Sequence, residues 1–220
     1  IEAYRFNDAA AAAYRFVWHL TCDWYLELAK PVLAGDDVAA RDETRATVAW
    51  VLDRIVAMLH PFMPFITEEL WAKARRDDDA PRPLLMLTRW PEPGFEDADA
   101  AAEINWLIDV ITAVRSVRAE MNVPAAAMVT LSVSGAAPAT VARLDRHDAL
   151  IRRLARASAI ERAAEPIKGA VQIVAGETII SMPLAGIIDI AAERARLSRE
   201  VELAAKEIAK IEAKLGNEQF

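Results

Sequence analysis

Residues able to do bond-making chemistry are few in this 220-residue sequence, and they do not gather. The single cysteine, Cys22, follows His19 by three positions, on one face of what reads as a helix. Structural zinc wants four ligands and no second pair accompanies these two, so a core or surface role is favoured over a metal role. His147 sits in a polar helical stretch and reads as solvated. No Ser or Cys stands beside a His in a glycine-rich turn, so no nucleophile is signalled. The seven glycines are isolated, which excludes a P-loop and a dinucleotide-binding turn.

Asp23 and Glu27 lie one helical turn apart. Such a pair can do acid–base work or bind a base edge. Carboxylates at this spacing are common on solvated faces, so surface charge or pairing with a neighbouring arginine is favoured. Trp18, Trp24, Trp50 and Trp71 can stack on RNA bases, but their helical spacing marks most of them as core. The arginines are more informative. Arg115 and Arg118 continue the line of an apolar stripe and are placed to reach a phosphate or a neighbouring domain. Arg152, Arg153, Arg156 and Arg162 cluster further on. Arg196, Arg199, Lys206, Lys210 and Lys214 line the outer faces of a last helix, interleaved with acids.

The elements that must position these groups are mostly helical. Alanine is abundant and glycine scarce, and both favour helix. The three- and four-residue spacing of Tyr14, Val17, Trp18, Thr21, Tyr25 and Leu28 predicts a helix over 8–30, capped by Asn7 or Asp8 and stopped by Pro31. A second helix covers 38–60, with Val48, Val51, Leu52, Ile55, Met58 and Leu59 as its buried stripe. Pro61 ends it, Pro64 blocks an immediate restart, and Thr67 caps a short third helix.

Residues 75–99, with Asp77-Asp78-Asp79 and four prolines, read as a linker, and Leu84–Leu87 as a short extended stretch inside it. A second body follows: a helix over 100–119, a strand over Met128–Val133, a helix over 138–157, and a hairpin made by Val171–Val174 and Thr178–Pro183 with Pro183 ending an edge strand. Asp189 then caps a helix running to Leu215. Ile190, Leu197, Val201, Ala204, Ile208, Ile211 and Leu215 repeat with a heptad rhythm broken by Arg194, the pattern of a coiled-coil seam. Gly216-Asn217 offers a stop.

With 54% apolar and 27% charged residues the composition is globular. The net charge of −7 argues against a nonspecific nucleic-acid binder, although local basic patches can act on an acidic protein. One cysteine argues for a reducing compartment. No run of 18 apolar residues predicts a membrane span, and the first residues lack an initiator Met and the features of a signal peptide. The expectation is a cytoplasmic piece of a longer protein, with no membrane partner.

Two stretches resemble a known family. Cys22-Asp23-Trp24-Tyr25-Leu26-Glu27, together with His60-Pro61-Phe62-Met63-Pro64-Phe65-Ile66-Thr67-Glu68-Glu69-Leu70-Trp71, resembles the anticodon-binding helical bundle of the class I aminoacyl-tRNA synthetases for valine, isoleucine and leucine, the valine branch most closely. Pro183-Leu184-Ala185-Gly186-Ile187-Ile188-Asp189 and the helix after it are similar to the start of the C-terminal coiled-coil arm of that branch. Arg115, Arg118, Asn122 and Pro124 fit the connecting helix and loop of the same family.

The resemblance implies a mainly α fold: an incomplete anticodon-binding bundle over 1–76, a linker over 77–99, a small α+β module over 100–187, and over 188–220 the first helix of a truncated coiled-coil arm. It implies a ligase that joins valine to tRNA(Val) with ATP through valyl-adenylate. Neither the His-x-Gly-His nor the Lys-Met-Ser-Lys-Ser signature is present, and the editing domain is absent, so valine and ATP would bind elsewhere. No catalytic, metal or cofactor residue is expected in this stretch. The expected tRNA contacts are Arg115, Arg118, Arg196, Arg199, Lys206 and Lys210. The exposed seam implies self-association or docking on the chain's own body. The rival expectation is a coiled-coil protein-interaction module with no RNA role.

Overall fold

The computed structural model describes residues 2–74, 82–92, 94 and 96–215. The chain divides into two compact units, with the boundary between Glu96 and Asp97.

In the first unit one continuous rod covers the expected first helix. It consists of α1 (Phe6–Tyr14), a wider π-helical stretch (Arg15–Tyr25) and α2 (Leu26–Leu33). Within the wide turn lies the buried Thr21, whose hydroxyl donates to the carbonyl of Phe16, five residues back, at 3.0 Å. Two boundary expectations are corrected. Asn7 and Asp8 lie inside α1 and do not cap it, because Asp8 pairs with Arg5 instead. Pro31 does not stop the rod. It removes one backbone donor only two residues before the end, and the turn then closes through Ala34 and Gly35 N–H groups.

α3 (Val38–Leu59) starts as a capped helix should: the Asp37 carboxylate accepts from the Ala40 N–H at 3.0 Å. Ile55 is its buried centre, whereas Leu52 faces outward, 49% exposed. α4 (Pro64–Lys73) begins at Pro64 itself, so this proline starts the helix where a barrier was expected. Its fixed φ suits the first helical position and its missing N–H is not needed there. Thr67 is not a cap; it is a buried bridge inside α4. Its hydroxyl donates to the Met63 carbonyl at 2.7 Å and accepts from His60 Nδ1 at 2.8 Å.

The run Asp77-Asp78-Asp79, Pro81 and Pro93 lie outside the described residues. Leu85–Leu87 form a 3-10 turn where an extended stretch was expected. It is strapped to α4: the Leu85 N–H donates to Glu68 at 2.7 Å, and Trp71 Nε1 donates to the Pro83 carbonyl at 3.1 Å. Arg82 clasps Asp53 of α3 through two bonds of 2.9 and 3.1 Å and lies over the Trp71 ring at 4.3 Å.

The second unit is a two-layer α+β body. α5 (Ala98–Glu120), capped by Asp97, and α6 (Pro138–Ala155) cover a four-stranded sheet of order β2-β1-β4-β3. The strands are β1 (Val129–Ser134), β2 (Ala157–Arg162), β3 (Val171–Ala175) and β4 (Thr178–Met182). β2 is parallel to β1 through the α6 crossover, and β4 is antiparallel to both β1 and β3. The sequence reading misses β2, running helix through its first residue. It also places Pro183 at an edge, whereas β4 is interior and Pro183 falls just after it. Leu107, Ile111, Leu131, Ile151, Ile180 and Met182 form the sealed core, each stabilising the fold by roughly 1.5–3 kcal/mol.

α7 (Ile190–Leu215) extends from this body, and Asp189 caps it by accepting from the Ala192 N–H at 3.0 Å. Its seam stands open towards the end: Leu197 is 38% and Leu215 69% exposed. The proposed stop at Gly216-Asn217 lies outside the described residues. No described helix is long and apolar enough to cross a membrane.

Candidate nucleic-acid interface

Position around α7 separates two surfaces. At roughly 100° per residue, Arg199, Lys206 and Lys210 fall within roughly 40° of one another, on the side opposite Leu197, Ile208 and Leu215. One face of the helix carries these cations, with the exposed Leu203 among them, and the other is apolar. The cations are about 10 and 6 Å apart along the axis. Lys206 and Lys210 make no ion pair among the described residues, while Arg199 Nε bonds only its own helix at the Ala195 carbonyl, 3.2 Å away. Exposed point charges in a row are suited to tracking a phosphate backbone.

Arg196 is placed differently. Its guanidinium grips Glu193 through Nε at 2.9 and 3.0 Å, pairs with Glu200, and donates from Nη2 to the Glu120 carbonyl at 2.9 Å. Glu193 is buried and also accepts from Asn122 Nδ2 at 3.4 and 3.5 Å. Asn122 can reach it because the chain turns there with φ +49°, a left-handed conformation that Asn tolerates. The Arg196 bond, followed by that from Asn122, holds the Glu193 carboxyl below the usual carboxylate range, and the Glu193 bond holds Arg196 protonated.

Arg115 and Arg118 lie on α5. Arg115 Nε donates to the Leu154 carbonyl at the end of α6, 2.9 Å away. Arg118 is buried, and its Nη2 donates to the carbonyls of Pro124 and Ala127 at 3.2 and 2.8 Å. Burial, with a smaller push from Arg156, lowers its pKa.

Several side chains differ from their sequence reading. His147 is not solvated: its Nε2 donates to Glu103 at 2.7 Å with the ring largely covered. Bonds from Arg146 and then His147 hold Glu103 below the usual carboxylate range. The tryptophans are not a core set. Trp18 and Trp50 are exposed, and Trp18 stacks on Tyr14 with ring centres 6.3 Å apart. Phe65, which no spacing argument singles out, is 91% exposed. Exposed aromatic faces of this kind can stack on unpaired bases. Asp23 pairs with His19, and Glu27 with Lys30. Among the described residues no group of three or more His, Cys, Asp or Glu gathers as metal ligands would.

Residues 1–133 match the model of the family described as the anticodon-binding domain of tRNA ligase, and the chain belongs to that family. The match covers the first unit and runs through α5 into β1. Over its whole length the chain is also similar to proteins named valine–tRNA ligase: 53% identical to that of Brucella suis, 54% to that of Mesorhizobium japonicum and 50% to that of Caulobacter vibrioides. It spans about a quarter of the length of these relatives, 24% in each case.

Proposed function

We propose that this chain is the tRNA-binding part of a cytoplasmic valine–tRNA ligase. The supporting observation is whole-length identity of about half with relatives of that name, joined to the family match over residues 1–133. In this reading ATP and valine bind a part of the ligase outside these residues. The helical unit receives the unstacked anticodon, whose single-stranded bases can be read by stacking and by hydrogen bonds to their edges. α7 is the first helix of a coiled-coil arm that braces the outer corner of the tRNA, with Arg199, Lys206 and Lys210 meeting its phosphates. Arg196 supports this surface from within the fold, since its guanidinium holds Glu193, Glu200 and the Glu120 carbonyl of the protein itself.

Binding of the chain to a tRNA(Val) transcript, against the same transcript with an altered anticodon, tests the reading. Tighter binding to the unaltered transcript is expected; indifference to the anticodon would overturn it in favour of a protein-interaction module. The exposed apolar seam of the isolated chain pairs with a second copy, and light scattering at monomer mass would refute that part.

A further inference from the structure

The ends of α5 and α6 enclose an open groove of about 300 Å³ whose charged lining residues are all arginine: Arg115, Arg118 and Arg156. Arg118 is only 7% exposed, and its Nη1 is buried with no hydrogen-bond partner among the described residues. Arg156 follows the last turn of α6 with φ +54°. That left-handed position normally belongs to glycine, because a side chain there crowds the backbone. The Arg156 backbone is nonetheless fixed: its N–H donates to the Arg152 carbonyl and its own carbonyl accepts from the Val129 N–H at 3.1 Å. Nearby arginines of this unit have carboxylate partners, Arg152 with Asp148 and Arg162 with Asp145. Arg156 has none among the described residues. Gathering like charges in one concavity, one of them on an unfavourable backbone, is intelligible if an anion neutralises them. Guanidinium forks match the two free oxygens of a phosphodiester.

We propose that Arg115, Arg118 and Arg156 form a phosphate-binding groove that takes a backbone phosphodiester of the tRNA, with Arg156 retained for this contact in a position that the fold alone would give to glycine. The proposal rests on the tRNA-binding reading above. It adds a contact on the second unit, away from the exposed face of α7.

The test is tRNA(Val) binding by the chain across a salt series, with melting temperature measured on the same samples. Arg156→Gly removes the cation and relieves the backbone, so its melting temperature should hold or rise while affinity falls about threefold or more and the salt slope shrinks by about 0.7–0.9. Arg156→Lys should recover part of the affinity. Arg115→Gln should weaken binding similarly. Arg156→Gly and Arg115→Gln binding as tightly as wild type, with an unchanged slope, would remove the groove and leave the tRNA reading standing. A fall in melting temperature that tracks the weaker binding of Arg156→Gly would make Arg156 structural and overturn the proposal. Failure of the wild-type chain to bind tRNA would instead overturn the reading beneath it.

Discussion

Arg196 and Glu120 lie 76 residues apart in sequence, yet Arg196 Nη2 donates to the Glu120 carbonyl across 2.9 Å. The same guanidinium holds Glu193, so the first turns of α7 are fastened to the last turn of α5. Removing it strands a buried carboxylate and frees an orphan helix-end carbonyl. Arg196→Ala should therefore lower the melting temperature of the chain, whereas Arg199→Ala, on the exposed face, should leave it unchanged. Thermal melts by circular dichroism distinguish the two.

The depressed carboxyls of Glu193 and Glu103 imply an acid limit to stability. A group whose folded pKa lies below its unfolded value contributes stability that is complete above the unfolded value. That contribution is lost as pH falls through the folded one. Stability should hold from neutral pH down to about 4.5 and then decline. Glu103→Gln and Glu193→Gln should each flatten the decline in a melting-temperature series from pH 7 to 3. An unchanged slope in both variants would show that neither carboxyl is coupled to folding.

Thr67 ties the end of α3 to α4 through a hydroxyl that both donates and accepts. Thr67→Val keeps the shape and deletes the hydroxyl's bonds to Met63, Pro64 and His60, leaving His60 Nδ1 without its partner. A loss of about 1–3 kcal/mol in urea unfolding is expected.

The α7 cations carry a different signature. Neutralising Arg199, Lys206 and Lys210 together should reduce tRNA affinity and make its salt dependence shallower by about 0.7–0.9 for each phosphate no longer neutralised. The melting temperature should not move, because all three are exposed. Filter binding from 50 to 200 mM salt reads both quantities.

Periodicity makes the helices legible, and Asp189 marks the start of α7 correctly. It does less well where long-range packing decides. Pro64 looks like a barrier when only its missing donor is weighed, and its suitability for a first helical turn is what the fold uses. β2 merges into α6 on reading, since nothing in Ala157–Arg162 alternates clearly; its pairing with β1 creates the strand. Spacing alone assigns the tryptophans to a core, but the helical unit buries small residues such as Ala13 and Ala29 and leaves Trp18 and Phe65 outside. Among the candidate site residues, charge is visible and role is not. Arg196 and Arg199 look alike in sequence. Only the fold shows that one is locked to Glu193 and Glu120 while the other faces outward. Arg156 stands in sequence only as one of a cluster of arginines, because a left-handed backbone has no mark in a row of letters unless the residue is glycine.

Under the proposed function the chain grips a tRNA at its anticodon and outer corner. Hydroxyl-radical footprinting of tRNA(Val) in the presence of the chain tests it most directly. Protection is predicted in the anticodon loop and along the outer corner, with the corner protection abolished when Arg199, Lys206 and Lys210 are neutralised. Protection confined to the acceptor end, or none at concentrations that saturate the chain, would contradict it.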